Sequence, residues 1–537
     1  MSLSQTSAEM LEPTADGPAP PPRASSGPSV GHRTTAGFVW MMITTLLARI
    51  VGFTFQIALA RILLPKDWGL IAIVTSINGF ASVIAGLGVK EMLIQRQGSF
   101  QQNLNAGFWL SVIGATVVGA VSCAGVVLYA HFGGDEQLIP LVILSSLGLL
   151  VTAVQLVPTC ELNIGLHFRQ VAKYQIISTV SGGLCTIAMA LVGLGAASYF
   201  AGALVGAGLA AVLNWRRSAV KIALRLDTAM WRSFFHDGIT LVFINLAWAG
   251  WGIGDRLILS AYVDNAELGY YFVGFAFAMT SIQMLGTNIG AVLFPALGRF
   301  AEEPERQRIA FLRATEVIAV VSIPIGVGVA AVADPVFRLL YGERYLASVP
   351  IVQILALGIA SLTVSSAAGS MMFAQGRFRT QLAYALASMS VVLLLVAIGA
   401  KLDGAIGCAI AVSVGHWITT LAGTRIAFKG LPHATRRMLN LFPRPVIAAA
   451  AAFIPAHFLG HCIPIGDFPL SNFARAQLIL RAASTGLTFC VLYYLLMVLL
   501  SPAATGELMY RLLALCPSKI RRAIPRFFVP KSARHAL

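Results

Sequence analysis

Arg49 stands in the middle of a long apolar run, and Asp255, Arg256 and Glu316 lie in similar surroundings. A charge inside a membrane span costs roughly 2.5 to 3.5 kcal/mol on insertion scales, so each needs a task that keeps it there. Thr45, Arg49, Gly52 and Gln56 are spaced i, i+4, i+7 and i+11, which is one face of a helix. Two hundred positions later Asn245, Ala249, Gly252 and Arg256 repeat that spacing. Arginine suits an anionic ligand because its planar fork binds phosphate oxygens in pairs and stays charged when partly desolvated. The two stripes therefore point to two walls of one hydrated, positively charged cavity: Arg49, Arg256, Thr45, Gln56 and Asn245 are its candidate substrate-binding residues. The alternative is that both arginines act as structural glue between helices. Asp255 is turned about 100° from Arg256, onto a face with Trp248 and Trp251. It reads first as a local ion-pair partner and second as a carboxylate for H+ or Na+ coupling. Glu316 is close enough to the end of its span to snorkel to water.

Asp67 and Glu267 open the second and eighth spans, where an acid stabilises exposed N–H groups. Lys90 and Arg96 follow the second span; they either set topology or meet an entering substrate. His416, alone on an apolar helix, reads as a hydrogen-bonded core residue. Seven cysteines show no C-x-x-C spacing and read as packing residues. The chain has no Walker-type Gly-Lys-Ser/Thr loop, no His-Glu-x-x-His and no nucleophile elbow, so neither ATP hydrolysis nor covalent catalysis is expected. No metal or organic cofactor is expected either.

The elements that must position these residues follow from composition. The 537 residues are 57% hydrophobic and only 11% charged, with a mean hydropathy of +0.79. A membrane must be the solvent. One span needs about 20 apolar residues, and the long continuous runs exclude a β-barrel, whose strands alternate over about 10 residues. The expectation is an all-α polytopic membrane protein with about fourteen spans, the fifth and sixth joined by almost nothing. Residues 1–35, rich in Ala, Pro, Ser and Gly, read as a disordered tail. Residues 505–537 read as a basic amphipathic tail suited to the anionic inner leaflet. The net charge of +16 is mostly topological: 29 of 38 Lys and Arg fall in loops and tails on the N-terminal side, which places both termini in the cytoplasm.

An internal repeat orders the spans. A displacement of 200 lays Leu59-x9-Gly69 on Leu259-x9-Gly269, with Asp67 over Glu267. A displacement of 210 lays Phe168-Arg169-x4-Tyr174 on Phe378-Arg379-x4-Tyr384. Six spans per repeat is an even number, so the two lobes should be related by a pseudo-two-fold along the membrane normal. The expected organisation is an N-lobe over 36–217, a C-lobe over 218–430 and two further helices over 431–504.

The stretch Leu59-Ala-Arg-Ile-Leu-Leu-Pro-Lys-Asp-Trp-Gly-Leu-Ile-Ala72, followed by Gly86-Leu-Gly and Leu93-Ile-Gln-Arg96, resembles Wzx-like polysaccharide exporters of the multidrug/oligosaccharidyl-lipid/polysaccharide flippase superfamily. Asp255-Arg-Leu-Ile-Leu259, Leu268-Gly-Tyr-Tyr271, Val292-Leu-Phe-Pro-Ala-Leu-Gly298 and Tyr341-Gly-Glu-Arg344 are similar to that group too. The resemblance implies a multi-pass protein of the bacterial inner membrane. It would move an undecaprenyl-pyrophosphate-linked oligosaccharide, a repeat unit of exopolysaccharide, capsule or O-antigen, across the bilayer by alternating access. Membrane lipids and polysaccharide polymerase or export machinery are the implied partners; nucleic acid is not. A cation-coupled, MATE-like small-molecule antiporter is the alternative, against which the first span offers Arg49 where a carboxylate would be needed. A membrane glycan polymerase or ligase fits less well, because the outer connections are short.

Overall fold

The computed structural model describes residues 30–132, 134–223, 228–286, 303–429, 441–462 and 472–501. The tail 505–537, most of the tail 1–35 and the segment 292–298 lie outside the described residues. Residues 30–35 are helical, so the first helix begins earlier than composition suggests.

Apolar length decides the elements. The N-lobe runs α1 (Val30–Ile62), α2 (Pro65–Gly86), a short helix Val89–Gln95, α3 (Phe100–His131), α4 (Leu138–Ile164), α5 (Phe168–Leu191) and α6 (Ala197–Arg217). The C-lobe runs α7 (Thr228–Leu259), α8 (Asn265–Gly286), α9 (Pro304–Leu340) and α10 (Ser348–Ala374). It closes with α11 (378–402) and α12 (405–427), two arms of the element Phe378–Ala427 broken by non-helical backbone at Asp403 and Gly404. Two more helices follow, α13 (Pro443–His461) and α14 (Asn472–Leu500). They pack on each other and against α9, where the Tyr493 hydroxyl donates to the Val320 carbonyl at 2.7 Å. Among the described residues, ten helical elements are long and apolar enough to cross a membrane. Counting the broken element twice, and adding α7, α8 and α13, gives the expected fourteen.

The repeat is visible in how the helices turn. The abrupt α5–α6 junction is made by Gly193 and Gly195, both at positive φ, and the α11–α12 junction by Gly404 at φ 47°. Only glycine adopts this backbone without strain. Each junction is met by the acid that opens the second helix of its lobe. Asp67 accepts from its own Leu64 N–H at 2.9 Å, and its other oxygen closes on Gly195. Glu267 departs from the expected role: Asp264 accepts the Glu267 N–H at 2.7 Å, while Glu267 itself reaches the Ala405 N–H at 2.8 Å and caps α12.

The lobes meet where α2 crosses α8. A Cβ on Gly69 would collide with the Asn265 carbonyl, and a Cβ on Gly269 with the Pro65 carbonyl. Residues 65 and 265, like 69 and 269, are repeat mates, so the two contacts exchange under the displacement and mark the pseudo-two-fold axis. Polar latches surround this crossing. Arg61 Nε donates to the Leu340 carbonyl at 2.6 Å, where its charge also suits the C-terminal end of α9. The Tyr345 hydroxyl donates to the Leu63 carbonyl at 2.9 Å, and Asn265 donates to the Asp135 carboxylate at 2.9 Å. The α3–α4 and α9–α10 connections thus each reach across to the other lobe.

Gly69→Ala is expected to destabilise the protein by about 1–3 kcal/mol through overpacking. Gly148→Ala, where a Cβ would meet nothing within 4 Å, should hold or raise stability. Thermal unfolding in detergent compares them, and equal midpoints would remove the glycine contact as a constraint.

Candidate functional site

The N-lobe is hollow. A cavity of about 410 Å³ lies between α1, α2, α5, α6 and α8, lined by Gln56, Trp68, Thr179, Thr186, Tyr199 and Phe272 among others. A second, of about 370 Å³, lies between α4, α5 and α6. Ser178 and Ala203 belong to both walls, so the two cavities adjoin. Close packing makes room for them elsewhere: Gly182 and Gly206 bring α5 and α6 into backbone contact, and Ser178 donates to the Gly206 carbonyl at 2.8 Å.

Along α1, Gly52 and Gln56 line the first cavity, while Arg49 is half-buried one turn earlier on the same face and Thr45 is exposed. Lys90 is exposed at the rim of the second cavity and, among the described residues, is the one formally charged residue lining either. Arg96, at the end of the short helix, is half-buried and lines neither.

The second stripe divides. Asn245 is exposed and the space beside Gly252 is open, but Arg256 is only 8% exposed. Its guanidinium stacks over Phe275 at 4.2 Å and Phe272 at 5.3 Å, a cation–π seat on α8. Phe272 lines the first cavity, so Arg256 stands one aromatic layer behind the wall. Asp255, 2% exposed, takes no arginine as partner: it accepts from the Tyr271 hydroxyl at 2.6 Å, and its other oxygen has no partner. His416 is buried as a core residue should be, yet neither ring nitrogen is hydrogen-bonded; the ring packs on Trp251 at 4.6 Å.

The structure thus places Gln56 on the first cavity and Lys90 on the second, with Arg49 adjoining the first and Arg256 shielded from it. It also shows a wall that the sequence reading passed over. Gln175, Thr179, Gly182 and Thr186 on α5 repeat the i, i+4, i+7, i+11 spacing of the α1 stripe without a charge. All four line the hollow.

The polysaccharide biosynthesis protein family matches residues 58–350. The chain is 23% identical over 417 residues to the lipopolysaccharide biosynthesis protein WzxC of Escherichia coli (strain K12), covering 74% of this chain and 81% of that one. It is 25% identical over 450 residues to the succinoglycan biosynthesis transport protein ExoT of Rhizobium meliloti (strain 1021), covering 80% and 88%. Among solved structures, the lipid II flippase MurJ in an inward closed conformation superposes with a TM-score of 0.64 at 16% identity, covering 85% of this chain and 99% of that one. An inward-facing multidrug resistance MATE family transporter of the MOP superfamily gives 0.56 at 14% identity, covering 74% and 98%. These likenesses show a shared two-lobed helical fold.

Tyr271→Phe leaves a buried carboxylate without its donor and should lower stability by about 1–3 kcal/mol. Adding Asp255→Leu removes the stranded charge, so the double variant should unfold at a higher temperature than Tyr271→Phe alone. The reverse order would show that the pair is not the partnership described.

Proposed function

The chain belongs to the polysaccharide biosynthesis protein family, and from that premise we propose that it is a flippase for a lipid-linked oligosaccharide, working by alternating access. It is a multi-pass membrane transporter, not an enzyme. The observation that carries the reading is the clasp between the lobes. Short polar contacts surround the repeat-related crossing of Gly69 and Gly269, and they lie on the face where α1 ends and α2 begins. Rocking the lobes would break Arg61 from Leu340, Tyr345 from Leu63 and Asn265 from Asp135 together, without unfolding either lobe.

The Lys and Arg asymmetry supports an orientation with both termini cytoplasmic, which puts the clasp on the outer side and the Lys90 rim toward the cytoplasm. The domain division follows: N-lobe 36–217, C-lobe 218–430 and an appended pair over 431–504. The substrate we propose is an undecaprenyl-pyrophosphate-linked repeat unit. Its pyrophosphate would be met by Arg49 and Lys90, with Thr45, Gln56 and Asn245 on the path and Arg96 near the entry. Arg256 would act from behind Phe272 when the lobes part. The bare oxygen of Asp255 inside the C-lobe favours a coupling cation, H+ or Na+. Polymerase or export machinery would receive the product.

The test is a cell lacking its own flippase, complemented with this protein. Wild type should restore surface polysaccharide. Arg49→Ala and Arg256→Ala should each lower it at least tenfold and leave lipid-linked units in the inner leaflet. No restoration by wild type sinks the flippase reading; wild-type behaviour of both variants sinks only the arginine assignment.

A further inference from the structure

The C-lobe holds a cavity of its own, about 270 Å³, between α7, α10 and α11. Six of its lining residues on α10 and α11 are Leu362, Ser365, Ser366, Gly369, Ser370 and Gln381. Subtracting 210 from each number gives Thr152, Gln155, Leu156, Thr159, Cys160 and Val171, and all six line the α4–α6 cavity of the N-lobe. The tyrosines of the repeated Phe-Arg-x4-Tyr motif lie with them. Tyr174 lines the N-lobe cavity, and Tyr384 is joined to Ser365 by a 3.1 Å hydrogen bond. The two cavities are one feature of the ancestral repeat, present in both lobes.

Each cavity also holds a carboxamide with unmet hydrogen bonds. Gln381 is 0% exposed, and neither its oxygen nor its nitrogen has a partner. Its nitrogen faces Gly369 in the cavity wall, where a Cβ would stand 3.8 Å away. Asn214, 6% exposed, donates to Thr159 at 3.3 Å and to Gln155 at 3.5 Å, while its oxygen has no partner. Buried amides in a lobe interior are normally satisfied, and an unmet pair of donor and acceptor calls for a group that is both. Hydroxyls are such groups. The walls add hydroxyl acceptors on Ser366 and Ser370, whose own protons go to their helix carbonyls. Trp248 and Trp251 stand at 83° to one another, 5.1 Å apart, and form an aromatic corner. Among the described residues, no formally charged side chain lines the C-lobe cavity.

In the C-lobe cavity an aromatic corner suited to a C–H face, an amide suited to hydroxyls and a lining without formal charge describe a neutral sugar ring, and the N-lobe mate repeats the amide and hydroxyl wall with Tyr174, carrying Lys90 only at its rim. We propose that the two repeat-related cavities are a pair of subsites for neutral sugar residues of the transported glycan, centred on Asn214 in the N-lobe and Gln381 in the C-lobe. The proposal rests on the flippase reading and deepens it. Arg49 and Lys90 at the rim meet the anionic head, and the amides deeper in the two lobes meet the saccharide.

The probe is the free oligosaccharide released by mild acid from the lipid-linked units that accumulate in cells from which this gene is removed. Titrated into the purified full-length protein in nanodiscs, it should give a saturable change in tryptophan fluorescence. Trp248→Phe should remove much of that signal. Gln381→Leu should weaken binding at least tenfold while leaving the unfolding temperature unchanged or higher, since leucine of similar volume replaces an unpaired amide. Asn214→Leu repeats the measurement in the other lobe should the first variant not fold. If wild type restores surface glycan in cells yet the probe gives no saturable change, the cavities hold water only: the proposal is overturned and the flippase reading stands. Binding left intact in both leucine variants also overturns it. Failure of wild type to restore glycan removes both.

Discussion

Two glycines at one helix crossing set the distance between the lobes. Within a bilayer the lipid tails are as apolar as the side chains, so close backbone approach, rather than apolar burial, draws helices together. Gly69 lies against the Asn265 carbonyl and Gly269 against the Pro65 carbonyl, and a single added carbon at either would push the lobes apart. That approach brings Trp68 within 5.8 Å of Phe272, ring to ring, and closes one end of the N-lobe hollow with aromatic surface. Phe272 then serves as one of the two faces on which Arg256 rests. Moving the crossing would alter the cavity wall and the seat of the arginine together.

Polar groups inside this apolar body fall into two kinds. Arg61, Asp135, Asn265, Asp67 and Glu267 spend their hydrogen bonds on backbone ends, turns and the opposite lobe, where an unpaired group would be costly. Gln381, Asn214 and His416 keep atoms unpaired although they are buried. The first kind surrounds the crossing and the helix junctions. The second, to which Asp255 with its bare oxygen also belongs, lies within the lobes, and Gln381 and Asn214 face cavities. A protein that only needed to hold its helices together would gain by replacing the second kind with leucine.

Much of this was legible in the residues. Apolar length gave the spans, and the repeat-related Gly69 and Gly269 proved to sit on the axis that the duplication implies. The adjoining fifth and sixth spans are separate helices because Gly193 and Gly195 turn the chain in a few residues. Other features depend on distance in space, which spacing along a chain does not encode. Glu267 begins α8, so helix-end chemistry pointed to its own N–H groups; the fold instead brings Ala405 to it across 138 residues. Arg256 fits a cavity-lining stripe by period, but the aromatic rings that hold it belong to the next helix. The α5 stripe was readable in principle. It was passed over because attention to charge leaves a wall of amide and hydroxyl groups looking like ordinary packing.

The two lobes share their cavities but not their covers. In the C-lobe α7 lies over the α10–α11 trough with Trp248 and Trp251, and its packing against α11 is tight enough that Gly250 meets Met389. In the N-lobe the equivalent α1 packs on α5 as α7 packs on α11, yet it lines the 410 Å³ cavity and leaves the α4–α6 trough to be walled by α6, with Lys90 at its rim. Asp255 and Arg256 are buried side by side in sequence on α7, the helix that covers the C-lobe cavity with Trp248 and Trp251.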